Sequence, residues 1–315
     1  MTTIIHYPSP VQWLADTLVV AMLSHRLLAI ASPTRNPSRQ NPWIPLPLFV
    51  VDPHRFGTLA SPLPLKLASQ WKRSQTVGTS PQEMGTALMT QIARQSESPW
   101  LVPDLSLHSE GWLYARFSGL ELSKWLQSLL LAPPFQTEPQ PLRISSGVSS
   151  DPVMFQLQYA HARCCSLLRL AQQENLIHLT PGDVRLVQLE SPVIWQTPTG
   201  ELQFQTLAEH QLLLALMQFP HSLSPQKIIY GYSQAALPGH QTRIEWPPPK
   251  PYLQLQAQQW SHLFLNFYRD CRIFGDVRQA APDLVTARLA LVFILRRVLA
   301  FVLETALQAE ALVTL

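Results

Sequence analysis

The sequence predicts a small α+β domain at residues 1–131, a linker at 132–150 and an all-α domain at 151–315. Three observations carry that prediction. Up to residue 131, short apolar runs of strand type alternate with stretches of helical periodicity. Residues 132–150 are rich in Pro, Ser, Gln and Thr. From residue 151 onward the strongest apolar patterns recur at helical spacing, over lengths too great for a strand.

The elements of the first domain follow in order. Trp13, Leu14, Leu18, Ala21 and Leu28 predict an amphipathic helix over Val11 to Ala31, ended by Ser32-Pro33. A proline-broken connector covers 32–48, and Leu48 to Val51 suits a short strand. Pro64 to Arg73 and Pro81 to Arg94 read as helices, the second opened by Ser80-Pro81 with Glu83 in its first turn. Leu101 to Leu107 and Gly111 to Phe117 read as strands. In the second of these, Trp112, Tyr114 and Arg116 share one face while Leu113, Ala115 and Phe117 share the other. A face with Trp, Tyr and Arg suits stacking on a nucleic-acid base. It equally suits a half-exposed sheet face with snorkelling side chains. Ser118 and Glu121 have the spacing of a capping box opening a helix to Leu131, which Pro133-Pro134 follows.

In the second domain, Ser150 or Asp151 can cap a helix with Pro152 at its first position. Leu157, Ala160, Cys164, Leu168 and Ala171 form its buried stripe, with Tyr159, Arg163 and Arg169 mostly off it. Residues 180–205 are polar and turn-rich, with a strand at Asp183 to Leu189. Leu207 to Phe219 is a helix, and Pro220 to Pro251 a proline-rich connector ending in a polyproline-type run. Leu253 to Phe274 is a helix with Trp260, Leu263 or Phe264, Phe267, Cys271 and Phe274 inward. Asp283 to Gln308 is a second long helix, nearly all apolar in its middle.

Composition narrows the function classes. The chain has 315 residues, 46% of them hydrophobic, which supports real cores. Only 14% are charged, so it is no disordered polyelectrolyte. A net charge of +3 permits nucleic-acid binding without announcing it. Of the 23 basic residues only five are lysine, and guanidinium groups suit phosphates and base faces. Cys164, Cys165 and Cys271 sit in apolar helical patterns without CxxC spacing, which points to reduced, buried thiols and a cytoplasmic setting. Leu289 to Leu303 is apolar enough to mimic a membrane segment, but Arg296 and Arg297 at its centre favour a core helix. No signal peptide and no membrane insertion are expected. The sequence has no GxGxxG, P-loop or HExxH string. Ser224 to Lys227 matches SxxK without that class's companion motifs, and Gly231-Tyr-Ser233 lacks the second glycine of a nucleophile elbow. No catalytic residue, metal site or cofactor is expected.

The residue strings are more specific than their periodicity. Gln158 to Arg163 reads Gln-Tyr-Ala-His-Ala-Arg, within Ser149 to Leu170. Later come Phe267-Tyr268-Arg269-Asp270-Cys271 and Ala287-Arg288-Leu289-Ala290-Leu291. In that order they resemble the DALR-type helical anticodon-binding domain of arginyl-tRNA synthetases. In the first half, Phe56-Gly57-Thr58-Leu59, the Ser80-Pro81 helix, Gly111-Trp112-Leu113-Tyr114 and the Ser118 helix follow the order of that family's small N-terminal domain. The catalytic core that the family carries between these modules has no counterpart in the roughly twenty residues joining them here.

The resemblance implies a non-catalytic tRNA-binding protein, with tRNA-Arg as the first expectation, serving as adaptor, chaperone or regulator. It implies no small-molecule substrate. Trp112 matches the family's aromatic contact to the D-loop, Tyr114 stands where an amide is expected, and Arg116 shares their face. In the second module Tyr268 matches the tyrosine that the family presents to the anticodon loop, Arg272 matches an aromatic or polar position one helical turn later, and Leu315 stands in place of a methionine. Tyr159 and Arg163, off the buried stripe of their helix, are RNA-binding candidates beside them. The alternative is a protein–protein module, such as an assembly factor, that reuses the scaffold without RNA. The low charge, the proline connectors and the changed positions favour it.

Overall fold

The computed structural model describes residues 14, 18, 49–50, 58–73, 80–95, 103–131, 147–180, 183–189, 193–223 and 250–315. The expected helix at Val11 to Ala31 lies outside these except for Leu14 and Leu18, which are helical and buried. The connector at 32–48, most of the linker at 132–150 and residues 224–249 also lie outside them.

The described residues fall into two compact units. One draws on Pro8–Leu122 and Met217–Glu245, the other on Ser123–Leu216 and Trp246–Leu315. In the first, β1 (Phe49–Val50), β2 (Thr58–Ser61), β3 (Asp104–Leu107) and β4 (Leu113–Arg116) form one antiparallel sheet in the order β1-β2-β4-β3. Helices α1 (Leu63–Arg73) and α2 (Pro81–Gln95) pack on each other. Ala115 pairs with Leu59 on one side and Leu105 on the other. The alternation expected around β4 is present: Leu113, Ala115 and Phe117 are buried, Trp112 and Tyr114 half-buried, and Arg116 exposed.

The turn from β3 to β4 depends on Gly111. Its φ is +84°, and a Cβ there would approach Pro81 Cβ to 2.6 Å. The His108 N–H donates to Trp112 O at 2.8 Å and closes the turn. Two helices begin with reciprocal caps. Ser80 Oγ accepts from Glu83 N while Glu83 Oε2 accepts from Ser80 N. Ser118 and Glu121 do the same at the start of α3 (Gly119–Leu131).

The second unit is built on α4 (Pro152–Gln173), α6 (Lys250–Asp270) and α8 (Pro282–Phe301), with α4 packed against both others. Asp151 is the cap of α4, accepting from the Val153 N–H at 2.9 Å, and Pro152 takes the first position. The helix ends in a Schellman turn: Leu176 N donates to Ala171 O, Asn175 N to Gln172 O, and Asn175 has φ 55°. α8 is buried on nearly every side, as an all-round apolar helix must be. It leads into a π turn at Val302–Ala306. Helix α5 (Leu207–Leu223) and the single turn α7 (Val277–Ala280) complete the helices described.

The expected all-α second domain needs a correction. Strands β5 (Ile177–Thr180) and β6 (Asp183–Leu189) pair antiparallel, so the unit is helical with one hairpin. The strands run either side of Pro181-Gly182 in the sequence, a turn signal; β6 is the expected strand, and its partner β5, with Ile177, Leu179 and Thr180, is the added one. A second difference concerns Phe274. The chain leaves the helix after Asp270, so Ile273 is buried and Phe274 only half-buried.

One polar contact in this core is large. Glu209 is fully buried and accepts from Arg288 Nε at 2.7 Å. Its other oxygen accepts the N–H groups of Gln205 and Thr206 at the start of α5. Arg288 also donates to the carbonyl of Arg272. Two charges are therefore paired and hydrogen-bonded where water is excluded.

Candidate nucleic-acid interface

The Gln158 to Arg163 string divides between the two sides of α4. Gln158, Ala160, His161 and Ala162 face inward and are buried, while Tyr159 and Arg163 are half-buried on the outer side. Tyr159 and Arg163 are four residues apart, so they lie one above the other on the helix. Tyr268, on the last turn of α6, is 39% exposed and completes the group.

The Arg163 guanidinium carbon stands 5.9 Å from the Tyr159 ring centroid and 5.2 Å from that of Tyr268. Both distances fall within cation–π range. Arg163 Nε finds no hydrogen-bond acceptor among the described residues. The rings continue along each helix at the same four-residue step. Phe155 stacks on Tyr159 at 6.5 Å, and buried Phe264 supports Tyr268 at 6.2 Å. Phe155 is 43% exposed. This half-exposed row of rings around one cation offers faces for stacking and a charge for a phosphate.

Three expected residues thus meet: Tyr159, Arg163 and Tyr268. Arg272, expected one helical turn after Tyr268, instead lies beyond the end of α6; it is exposed, and its carbonyl is held by Arg288. Arg269 is turned to Asp270 in a bidentate pair at 2.7 and 2.9 Å. Trp112, Tyr114 and Arg116 lie together in the other unit, where Tyr114 meets His108 edge-on at 6.2 Å between centroids.

The inner side of α4 holds residues that the sequence reading missed. Gln158 Oε1 accepts from Ser149 N at 2.9 Å, and its Nε2 donates to Gly147 O and Glu310 O, both at 3.0 Å. His161 Nδ1 donates to Leu312 O at 2.8 Å. Burial holds the His161 ring neutral, with its pKa lowered from 6.5 to about 4; Arg296 lowers it further and the Leu312 carbonyl opposes the shift. Two polar residues on an otherwise apolar stripe were the available signal, because buried polar atoms demand partners. The thiols of Cys164 and Cys165 are pushed up by burial and remain free. Among the described residues no group of three or more His, Cys, Asp or Glu could hold a metal. No described helix is long and apolar enough to cross a membrane.

No family model and no solved structure matches the chain. Curated relatives do. The chain is 36% identical over 161 residues to an arginine–tRNA ligase of Prosthecochloris aestuarii, covering 50% of this chain and 22% of the ligase. It is 33% identical over 160 residues to that of Pelodictyon phaeoclathratiforme, covering 50% and 22%. For the ligase of Dehalococcoides mccartyi the figures are 30% over 159 residues, 50% and 21%. The chain spans about a fifth of the length of the ligases it matches. Over about half of its length, this chain is arginyl-tRNA synthetase-like.

Proposed function

We propose that this protein binds tRNA, tRNA-Arg first, without charging it. The single observation that carries the reading is the Arg163 guanidinium between the rings of Tyr159 and Tyr268, on a half-exposed face of α4 and α6. The similarity to arginine–tRNA ligases supports it. In this reading the unpaired bases of an anticodon loop stack on Tyr268 and Tyr159, and Arg163 and Arg272 meet the backbone. Trp112, Tyr114 and Arg116 form a separate contact to the same RNA. The protein acts as an adaptor, chaperone or regulator in the cytoplasm, a setting that its three buried free thiols suit.

Filter binding with tRNA-Arg and with total tRNA tests this. Stacking of about 1–3 kcal/mol per base predicts a loss of roughly five- to hundredfold for Tyr268→Ala. Binding that is absent at low salt, or indifferent to Tyr268→Ala and Arg163→Ala, overturns the reading. Arginine-dependent ATP–pyrophosphate exchange is expected to be nil.

A second reading is a protein partner on the same scaffold. The exposure of Phe155 and Leu255, at 43% and 63%, beside a net charge of only +3, favours it. Co-purification with one fixed protein after RNase treatment would support that reading over the first.

A further inference from the structure

The segment Leu307–Leu315 lies against the inner side of α4. It is redirected there by the π turn at Val302–Ala306 and by Gln308, whose φ is 57°. Leu307 and Ala309 are buried, but from Glu310 onward the side chains are half-buried or exposed. What holds that outer part is polar. Gln158 donates to Glu310 O, His161 to Leu312 O, and Arg169 Nη1 to Val313 O at 2.9 Å. Glu310 Oε2 in turn accepts from Gly147 N at 2.7 Å. A segment with little apolar burial, fastened by a few hydrogen bonds, is one that opens locally.

Its three anchors alternate with the outward residues on a single helix. Gln158 adjoins Tyr159, and His161 precedes Arg163 by two positions. Because a helix rotates as one body, fastening its inner side sets where its outer side chains point. We propose that Leu307–Leu315 is a latch, and that Gln158 and His161 are positioning residues which, through it, set Tyr159 and Arg163 against Tyr268. The inference rests on the RNA-binding reading for its use, though the coupling itself needs no RNA. Linkage makes it reciprocal: RNA on the outer side closes the latch on the inner side.

The test uses the full chain and two substitutions of one residue. His161→Asn keeps an N–H near the place of Nδ1, and His161→Leu removes it. Three readouts are taken: hydrogen exchange across 307–315, the Arg163 Nε–Hε signal, which the two rings shield, and the Kd for tRNA-Arg. His161→Leu is expected to speed exchange of the segment about tenfold, displace the Arg163 signal and weaken binding about fivefold, with His161→Asn restoring all three. Bound tRNA is expected to slow exchange of the segment in the wild type. Should His161→Leu fail to fold, Arg169→Met loosens the segment from a half-buried position and is read in the same way. A freed segment with the Arg163 signal and the Kd unchanged overturns the coupling. A wild type that binds no tRNA overturns the RNA reading alone, and the Arg163 signal still decides the latch.

Discussion

Acid is expected to destabilise the protein through His161. The folded chain holds this ring neutral down to about pH 4, whereas a free histidine takes its proton near 6.5. Between those values the unfolded chain binds a proton that the folded chain refuses. Stability therefore falls as pH drops through the window, is fully present above it, and levels off below it. Each tenfold difference in proton affinity is worth about 1.4 kcal/mol, so the gap from 6.5 to about 4 caps the loss at about 3 kcal/mol. The cause is physical: a ring 2% exposed, with Arg296 as its charged neighbour and its Nδ1 proton committed to Leu312 O. Other groups titrate over the same range, so the control is His161→Asn, which keeps a donor and cannot take the proton. Urea unfolding of both proteins at a series of pH values gives the difference. The wild type is expected to lose about 3 kcal/mol more than the variant between neutral pH and about pH 4. Parallel stability curves would refute the reasoning, because they would mean that the ring charges equally in the folded and unfolded chains.

Other consequences follow from single contacts. Glu209→Ala leaves Arg288 buried without its carboxylate and is expected to cost about 3–5 kcal/mol in urea unfolding, far more than any surface charge. Gly111→Ala forces a Cβ toward Pro81 at a positive φ; it should lower stability by more than about 1 kcal/mol and alter the emission of Trp112, which sits beside it at the turn of the β3–β4 hairpin. Ser118→Ala removes one arm of a capping box and should cost about 1 kcal/mol, read as a lower midpoint at unchanged m-value. Arg269→Ala, which breaks an exposed pair with Asp270, should leave the urea midpoint essentially unchanged.

The helices α1 to α6 and α8 were legible because their signals are local. Caps act within about four residues, apolar stripes repeat within a turn or two, and Pro and Gly interrupt in place. The alternation around β4 was legible for the same reason, with a period of two along seven residues. The β5–β6 hairpin was only half legible: Asp183 to Leu189 was expected as a strand, but its partner Ile177–Thr180 is just four residues long and follows directly on a strong helix. Tyr159, Arg163 and Tyr268 could each be named from their strings, yet no spacing along the chain says that one guanidinium stands between two rings carried by different helices.

Least legible were the contacts that bind distant segments. Gln158 and His161 read as polar interruptions of a stripe until Glu310 and Leu312, about 150 positions away, arrive as their partners. Glu209 meets Arg288 across 79 positions. Amino-acid order dictates which surfaces each segment must hide, since that follows from side chains within one or two turns. Which buried donor faces which buried acceptor is settled when the segments close on one another, because an unpaired polar group in a dry interior is penalised only after the water has left.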